Sequence, residues 1–270
     1  MTRTVDTPKG KIAVHESPGT GVPVVLIHGN SSSSRSFSRQ LEGPLGRKLR
    51  LIALDLPGHG DSDDAADGAY SLRLHADAMQ AAARALGVED AVFVGWSLGG
   101  HIALEMAPAL TKARGFAIFG TPPIAFPPAM AEAFLPNPAL GVGFSPTVDR
   151  AHAEAYAASF FAPGFRDIPA SFVDDILRTD GRARAGLPAS FAPGASLDEV
   201  VIVRELAAPL AVLHGAREQL VNGDYFRSLT MPTLWRGAVQ IIPDAGHAPQ
   251  WETPETFDSL IEAFVADTRA

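Results

Sequence analysis

Cysteine is absent from the 270 residues, which removes disulfides, thiolate nucleophiles, iron–sulfur clusters and cysteine-ligated zinc together. Positive charge is scarce. Twenty-two Lys plus Arg face thirty Asp plus Glu, a formal net charge of −8, and no basic cluster stands ready to neutralise a row of phosphates, so nucleic acid is not expected as a partner. Long apolar runs are missing too. The uncharged stretch 115–131 is interrupted by Pro122, Pro123, Pro127 and Pro128, whereas a spanning helix needs about 20 apolar residues, so no membrane span is expected. Residues 1–11 are polar and lack the apolar middle of a signal peptide, which points to a cytoplasmic location. Neither G-x-G-x-x-G nor G-x-x-x-x-G-K-[ST] occurs, and there is no H-x-H or H-E-x-x-H pattern; no nucleotide cofactor and no metal are expected.

Hydrophobic residues make up 46% and charged residues 19% of the chain, a composition that favours a compact globular protein over a disordered chain or a coiled coil. Short apolar, β-branched-rich runs at 22–27, 49–54, 91–95, 116–119, 209–213 and 238–242 read as strands buried on both faces. Helical spacing lies between them, clearest at 71–86, where Leu72, Ala76, Met79, Ala83 and Leu86 recur behind a Ser71 cap. Strand alternating with helix predicts a mostly parallel central sheet flanked by helices. From Pro122 to Leu206 the alternation stops, and Pro, Ala and Phe dominate over runs at 145–161, 167–179 and 196–205 that look helical. This is expected to be a helical cap, 122–206, inserted between strands of a core built from 1–121 and 207–270. Eight of the fifteen Phe fall within it, more than a proportional share, so the insertion has an apolar face either to pack or to offer to a ligand.

The chemistry-bearing run is Gly95-Trp96-Ser97-Leu98-Gly99-Gly100, which follows a strand and opens a helical stretch at 98–110. A turn that sharp leaves no room for side chains at its glycines, and it lifts a serine oxygen clear of the sheet above a helix N-terminus. Serine is a weak nucleophile unaided, so a base must reach it and an acid must orient that base, in the chain order Ser, acid, His. His247, in a loop after the last strand, is the only His beyond His214. His28, His59, His101 and His214 read as structural or supporting residues; His15, His75 and His152 read as surface or cap residues. Glu218, three residues past Gly215, is the expected acid, with Asp224 a surface or capping residue and Asp244 a loop-shaping one. Two backbone amides must hold an oxyanion, and these are expected at Leu98 and at Asn30 in the loop His28-Gly29-Asn30-Ser31-Ser32-Ser33-Ser34.

These residues resemble the α/β-hydrolase superfamily over essentially the whole chain, including its turn Asp55-Leu56-Pro57-Gly58-His59-Gly60-Asp61-Ser62. Serine at position 97 separates the chain from the dehalogenases and epoxide hydrolases of that fold, which use aspartate there. Gly120-Thr121-Pro122-Pro123 and Arg178-Thr179-Asp180-Gly181-Arg182-Ala183-Arg184 are not general requirements of the fold. With Ala245-Gly246-His247-Ala248-Pro249 they resemble the metal-independent N-acylhomoserine lactonases of AidH type, whereas Phe126 to Val148 and Gly186 to Val200 depart from that pattern. The resemblance implies a small acyl lactone or ester as substrate and no cofactor, with Ser97, His247 and Glu218 as nucleophile, base and acid. It also implies that Tyr156 contacts the lactone, and Trp96, Phe126 and Phe160 are expected beside it. The rival readings are a carboxylesterase, a carbon–carbon bond hydrolase or a cofactor-free perhydrolase with the same three residues, and a slow-turnover binding protein.

Overall fold

The computed structural model describes residues 2–268; Met1, Arg269 and Ala270, at the outer limits of the expected core, lie outside the described residues. Eight strands form one sheet: β1 (Thr2–Thr7), β2 (Gly10–Glu16), β3 (Pro23–Ile27), β4 (Arg50–Leu54), β5 (Val92–Trp96), β6 (Gly115–Phe119), β7 (Leu210–Gly215) and β8 (Gln240–Ile242). Their order is β1-β2-β4-β3-β5-β6-β7-β8. β1 and β2 pair antiparallel with each other and β2 with β4, and every other pairing is parallel. The six expected strands are present within a residue or two of their bounds. The hairpin β1–β2 is additional: β1 is largely exposed and polar, and a strand without a buried stripe leaves no apolar signature to read.

β3 to β7 are apolar on both sides because helices cover both sides. Val24, Leu26, Val92, Val94, Ala117 and Phe119 bury into one face, while Val25, Ile27, Phe93, Phe116 and Ile118 bury into the other. The helix Leu72–Ala85 begins as the sequence predicts, with Ser71 Oγ accepting from Leu74 N at 3.1 Å. Among the described residues no helix is long and apolar enough to cross a membrane.

Between β6 and β7 the helices Arg150–Ser159, Ala170–Arg178, Gly181–Gly186 and Glu199–Glu205 replace the alternation. Its phenylalanines divide between two duties. Phe160, Phe161 and Phe172 join the apolar cluster on one sheet face, whereas Phe126, Phe134, Phe144 and Phe191 line a cavity.

One histidine departs from expectation. His75, expected at the surface, is fully buried, because it stands three residues after Leu72 on the same apolar face of its helix. It stacks on Tyr70 and meets His59 edge-on, with His28 beyond. Burial lowers the His75 ring to about 3, and burial likewise lowers His28 and His59. A ring neutral in the fold but titrating normally once unfolded stabilises the fold fully above about pH 6.5. That contribution falls by about 1.4 kcal/mol per pH unit below it, since only the unfolded chain then takes up the proton. Asp258, raised to about 6 mainly by burial, runs the opposite way. The difference between wild type and His75→Phe therefore isolates the imidazole: in urea melts from pH 7.5 to 4.5 the variant is expected to lose less stability per pH unit. Parallel curves would show that His75 titrates in the fold as it does in the unfolded chain, and would overturn this reading.

Candidate active site

Ser97 sits between β5 and the helix Leu98–Met106 with φ 52° and ψ −119°. Such a backbone is costly for a side-chain-bearing residue and persists only where the surroundings impose it. Here Ser97 N donates to Phe119 O at 2.9 Å and Thr121 Oγ1 donates to Ser97 O at 2.8 Å. A Cβ at Gly99 would lie 2.1 Å from Ile27 O, so only glycine lets the helix start this close to β3.

Glu218 lies just past β7 and His247 just past β8, and both are almost completely buried. His247 Nδ1 meets Glu218 Oε2 at 2.8 Å. The other carboxylate oxygen accepts from Gln219 N and Leu220 N, at 2.9 and 2.8 Å. Burial pushes this carboxyl up, but the His247 ring and these hydrogen bonds outweigh it, so Glu218 titrates below its ordinary value. An ionised carboxylate can only accept, so the ring proton rests on Nδ1 and Nε2 is left as an acceptor. That Nε2 is buried without a hydrogen-bond partner, and no hydrogen bond joins it to Ser97. Trp96 Nε1 donates to His247 O at 2.7 Å, and Gly120, at φ +60°, lets the ring approach so closely that a Cβ there would sit 2.6 Å from His247 Cε1.

Ser97 opens onto a mostly apolar cavity of about 530 Å³ whose wall includes Asn30, Leu98, Phe126, Met130, Tyr156 and Leu187, within the range of small-molecule sites. Asn30 Nδ2 donates to Gly143 O at 2.7 Å, and Tyr156 Oη closes on the same glycine. Burial raises the Tyr156 phenol, which therefore remains a neutral hydroxyl. Tyr156 and Phe126, the first expected to contact the lactone and the second beside it, both line the cavity. Trp96 and Phe160, also expected at the ligand, lie behind its wall instead: Trp96 is fully buried, supports His247, and packs edge-on against Phe160 at 5.4 Å. A more open cavity of about 730 Å³ reaches Glu218 and His214 beside β8 without touching Ser97.

The Asn30 loop has supports that no motif announced, Arg35 and Asp175 among them. Ser33 Oγ donates to Asp175 Oδ2 at 2.7 Å, Arg35 pairs with Asp175 Oδ1, and Ser34 N donates to Asp55 Oδ1 at 2.7 Å. The loop carrying Asn30 is thus held from both sides, by β4 and by the helix Ala170–Arg178. Asp175 could have been noticed, because it stands among Phe172, Val173 and Ile176 on the buried face of that helix, where an unpaired carboxylate would be costly. Asp55, His15 and Asp61 bring three potential metal-ligand atoms within 4.8 Å of one another. Asp55 there already accepts from Ser34 N and Asp61 N, which braces the loop. Asp224 is exposed and pairs with Arg227, as expected, and Asp244 occupies a positive-φ turn.

Residues 24–259 match the family model described as "Alpha/beta hydrolase family". The chain belongs to that family. Over 99% of its length this α/β hydrolase superimposes on 97% of the N-acyl homoserine lactonase AidH complexed with N-butanoyl homoserine, with a TM-score of 0.94 and 41% identity. It is 30% identical to a pimeloyl-[acyl-carrier protein] methyl ester esterase of Stenotrophomonas maltophilia over 93% of this chain and 95% of that protein. It is 27% identical to a 2-hydroxymuconate semialdehyde hydrolase of Pseudomonas sp. over 95% and 91%. The fold is the α/β-hydrolase fold and the activity class is hydrolysis of ester bonds.

Proposed function

We propose that this α/β hydrolase opens the ring of N-acylhomoserine lactones, with Ser97 as nucleophile, His247 as general base and Glu218 as the acid that orients it. The likeness of the whole chain to a lactonase of that class, at 41% identity, carries the reading. The buried pair of His247 and Glu218 supports it. Ser97 Oγ attacks the lactone carbonyl carbon and its proton passes to His247 Nε2. The amides of Asn30 and Leu98 hold the oxyanion, each donor lowering the barrier by about 3 kcal/mol. Collapse breaks the ring C–O bond, and His247 returns the proton to the departing alkoxide. Water, deprotonated by His247, then attacks the acyl-enzyme and releases N-acylhomoserine with Ser97 regenerated. The absence of a hydrogen bond between Ser97 and His247 in the unliganded protein is compatible with this, since such bonds often tighten only around substrate.

In this reading residues 122–206 are a cap over a core of 1–121 and 207–270. The freed hydroxyl stays tethered to the acyl-enzyme, so re-closure competes with hydrolysis. The cap must hold back bulk water yet admit one molecule.

The experiment is chromatography of the open acid formed from N-hexanoyl homoserine lactone, in chelator, beside hydrolysis of 4-nitrophenyl hexanoate. Ring opening is expected to persist in chelator and to exceed aryl ester cleavage in kcat/KM. Ester cleavage with no ring opening would overturn the lactone assignment and favour the esterase reading, to which the 30% identity to a methyl ester esterase already points.

A further inference from the structure

The cavity wall carries a hydrogen-bonded histidine and carboxylate that the proposed mechanism does not use. His101 lies one helical turn beyond Ser97 on the helix Leu98–Met106, and Glu199 opens the helix Glu199–Glu205; both line the cavity with Ser97. His101 Nδ1 is 2.9 Å from each carboxylate oxygen of Glu199, which also accepts from Ile124 N at 2.8 Å. The Glu199 side chain is only 4% exposed and that of His101 16%. A tie between two helices accounts for Nδ1 alone. The other ring nitrogen, Nε2, makes no hydrogen bond with the described residues and is not among their fully buried polar atoms, on a residue that lines the cavity. The cavity lining that His101 shares is mostly apolar and includes Leu72, Leu98, Ile124 and Leu187. Of the two serine hydroxyls in the same lining, Ser190 Oγ accepts from Leu72 N and Ser196 Oγ donates to Ser190 O.

We propose that His101, held by Glu199, is a specificity residue that accepts a hydrogen bond from a hydroxyl on the third carbon of the substrate's N-acyl arm. The inference rests on the lactonase reading for the identity of that arm. A carboxylate can only accept, so Nδ1 carries the proton shared with Glu199, and the tautomer this selects holds its lone pair at Nε2. Its partner must therefore be a donor, and on an uncharged acyl chain that donor is a hydroxyl. The reach agrees: four helical residues advance about 6 Å along the axis, and the third acyl carbon stands five bonds from the carbonyl that Ser97 attacks. An unsubstituted arm leaves Nε2 facing methylene groups, a desolvated acceptor without a partner.

The test is a ratio, which is independent of how much total activity a variant retains. For wild type, kcat/KM for the N-(3-hydroxyhexanoyl) lactone is expected to exceed that for the N-hexanoyl lactone by roughly threefold to tenfold, the worth of one neutral hydrogen bond. His101→Phe is expected to bring the ratio to about one, and His101→Gln, which keeps an acceptor, to retain part of the preference. A wild-type ratio near one overturns the proposal, as does a ratio that survives His101→Phe. Preference for the 3-oxohexanoyl over the 3-hydroxyhexanoyl lactone also overturns it, because a ketone brings no donor to a lone pair at Nε2. If the protein opens no lactone, 4-nitrophenyl 6-hydroxyhexanoate against 4-nitrophenyl hexanoate places a hydroxyl-bearing carbon the same five bonds from the attacked carbon. A preference there that His101→Phe removes keeps the His101 assignment while the lactone reading falls, and no preference there overturns both.

Discussion

Ser97→Ala is expected to lower turnover by roughly 10⁵-fold to 10⁶-fold, the scale on which removing the nucleophile of a serine hydrolase acts. The alanine can keep the φ of 52°, and both backbone hydrogen bonds of residue 97, from its N–H to Phe119 O and from Thr121 Oγ1 to its carbonyl, need no side chain. The helix Leu98–Met106 and the cavity should therefore survive, so the loss reports chemistry rather than unfolding, and a melting temperature within about 2 °C of wild type would verify this. Intact-protein mass spectrometry after quenching with a slow aryl ester should find an acyl adduct on wild type and none on the variant. Activity within tenfold of wild type would remove Ser97 from the role of nucleophile.

The second large effect separates two carboxylates that lie six positions apart. Glu218→Ala is expected to cost roughly 10³-fold to 10⁴-fold in kcat, the range for the acid of such a triad, whereas Asp224→Ala should change it less than about twofold. Environment makes the difference. Glu218 is buried against His247 Nδ1 at 2.8 Å and holds that ring in the tautomer that leaves Nε2 free. Asp224 has a side chain 78% exposed and pairs with Arg227, a contact worth little in water. Loss of Glu218 also frees the ring to rotate and leaves a buried Nδ1–H unpaired. Because Glu218 titrates below its ordinary value, it stays ionised throughout the neutral range, and the wild-type kcat profile above pH 6 should carry no limb from this carboxyl. A larger loss in Asp224→Ala than in Glu218→Ala would move the acid to position 224.

The His101 lone pair bears on how the cavity selects its ligand. The polar groups near Ser97, namely Asn30 and Tyr156, suit a polar head, while most of the remaining wall suits methylene groups. A single acceptor one turn along the helix would divide that apolar stretch. Sites that pair a substrate hydroxyl discriminate against the analogue lacking it more sharply than apolar pockets discriminate by size.

Local patterns in the chain determined much of what is described above. Five parallel strands announce themselves as short apolar runs because burial on both faces demands it, and Ser71 marks a helix start because its hydroxyl satisfies an amide within three residues. The turn around Ser97 is legible for the same reason: Gly95 and Gly99 stand where neighbouring backbone leaves no space for a side chain. The placement of Ser97, Glu218 and His247 just past β5, β7 and β8 was legible because each follows a recognisable strand. Only the tertiary structure decided the rest. The Glu218–His247 bond joins residues 29 positions apart, and the bracing of the Asn30 loop by Asp175 spans 142 positions; no periodicity encodes either distance. Trp96 could be read as an aromatic for a ligand, and packing made it the support of His247 instead. His75 shows the limit most plainly, since one turn of helix phase placed a titratable ring in the interior. Short-range pattern fixes which face of an element is apolar, but what that face meets depends on how the whole sheet and its insertion pack together, and that is settled by contacts between residues far apart in the chain.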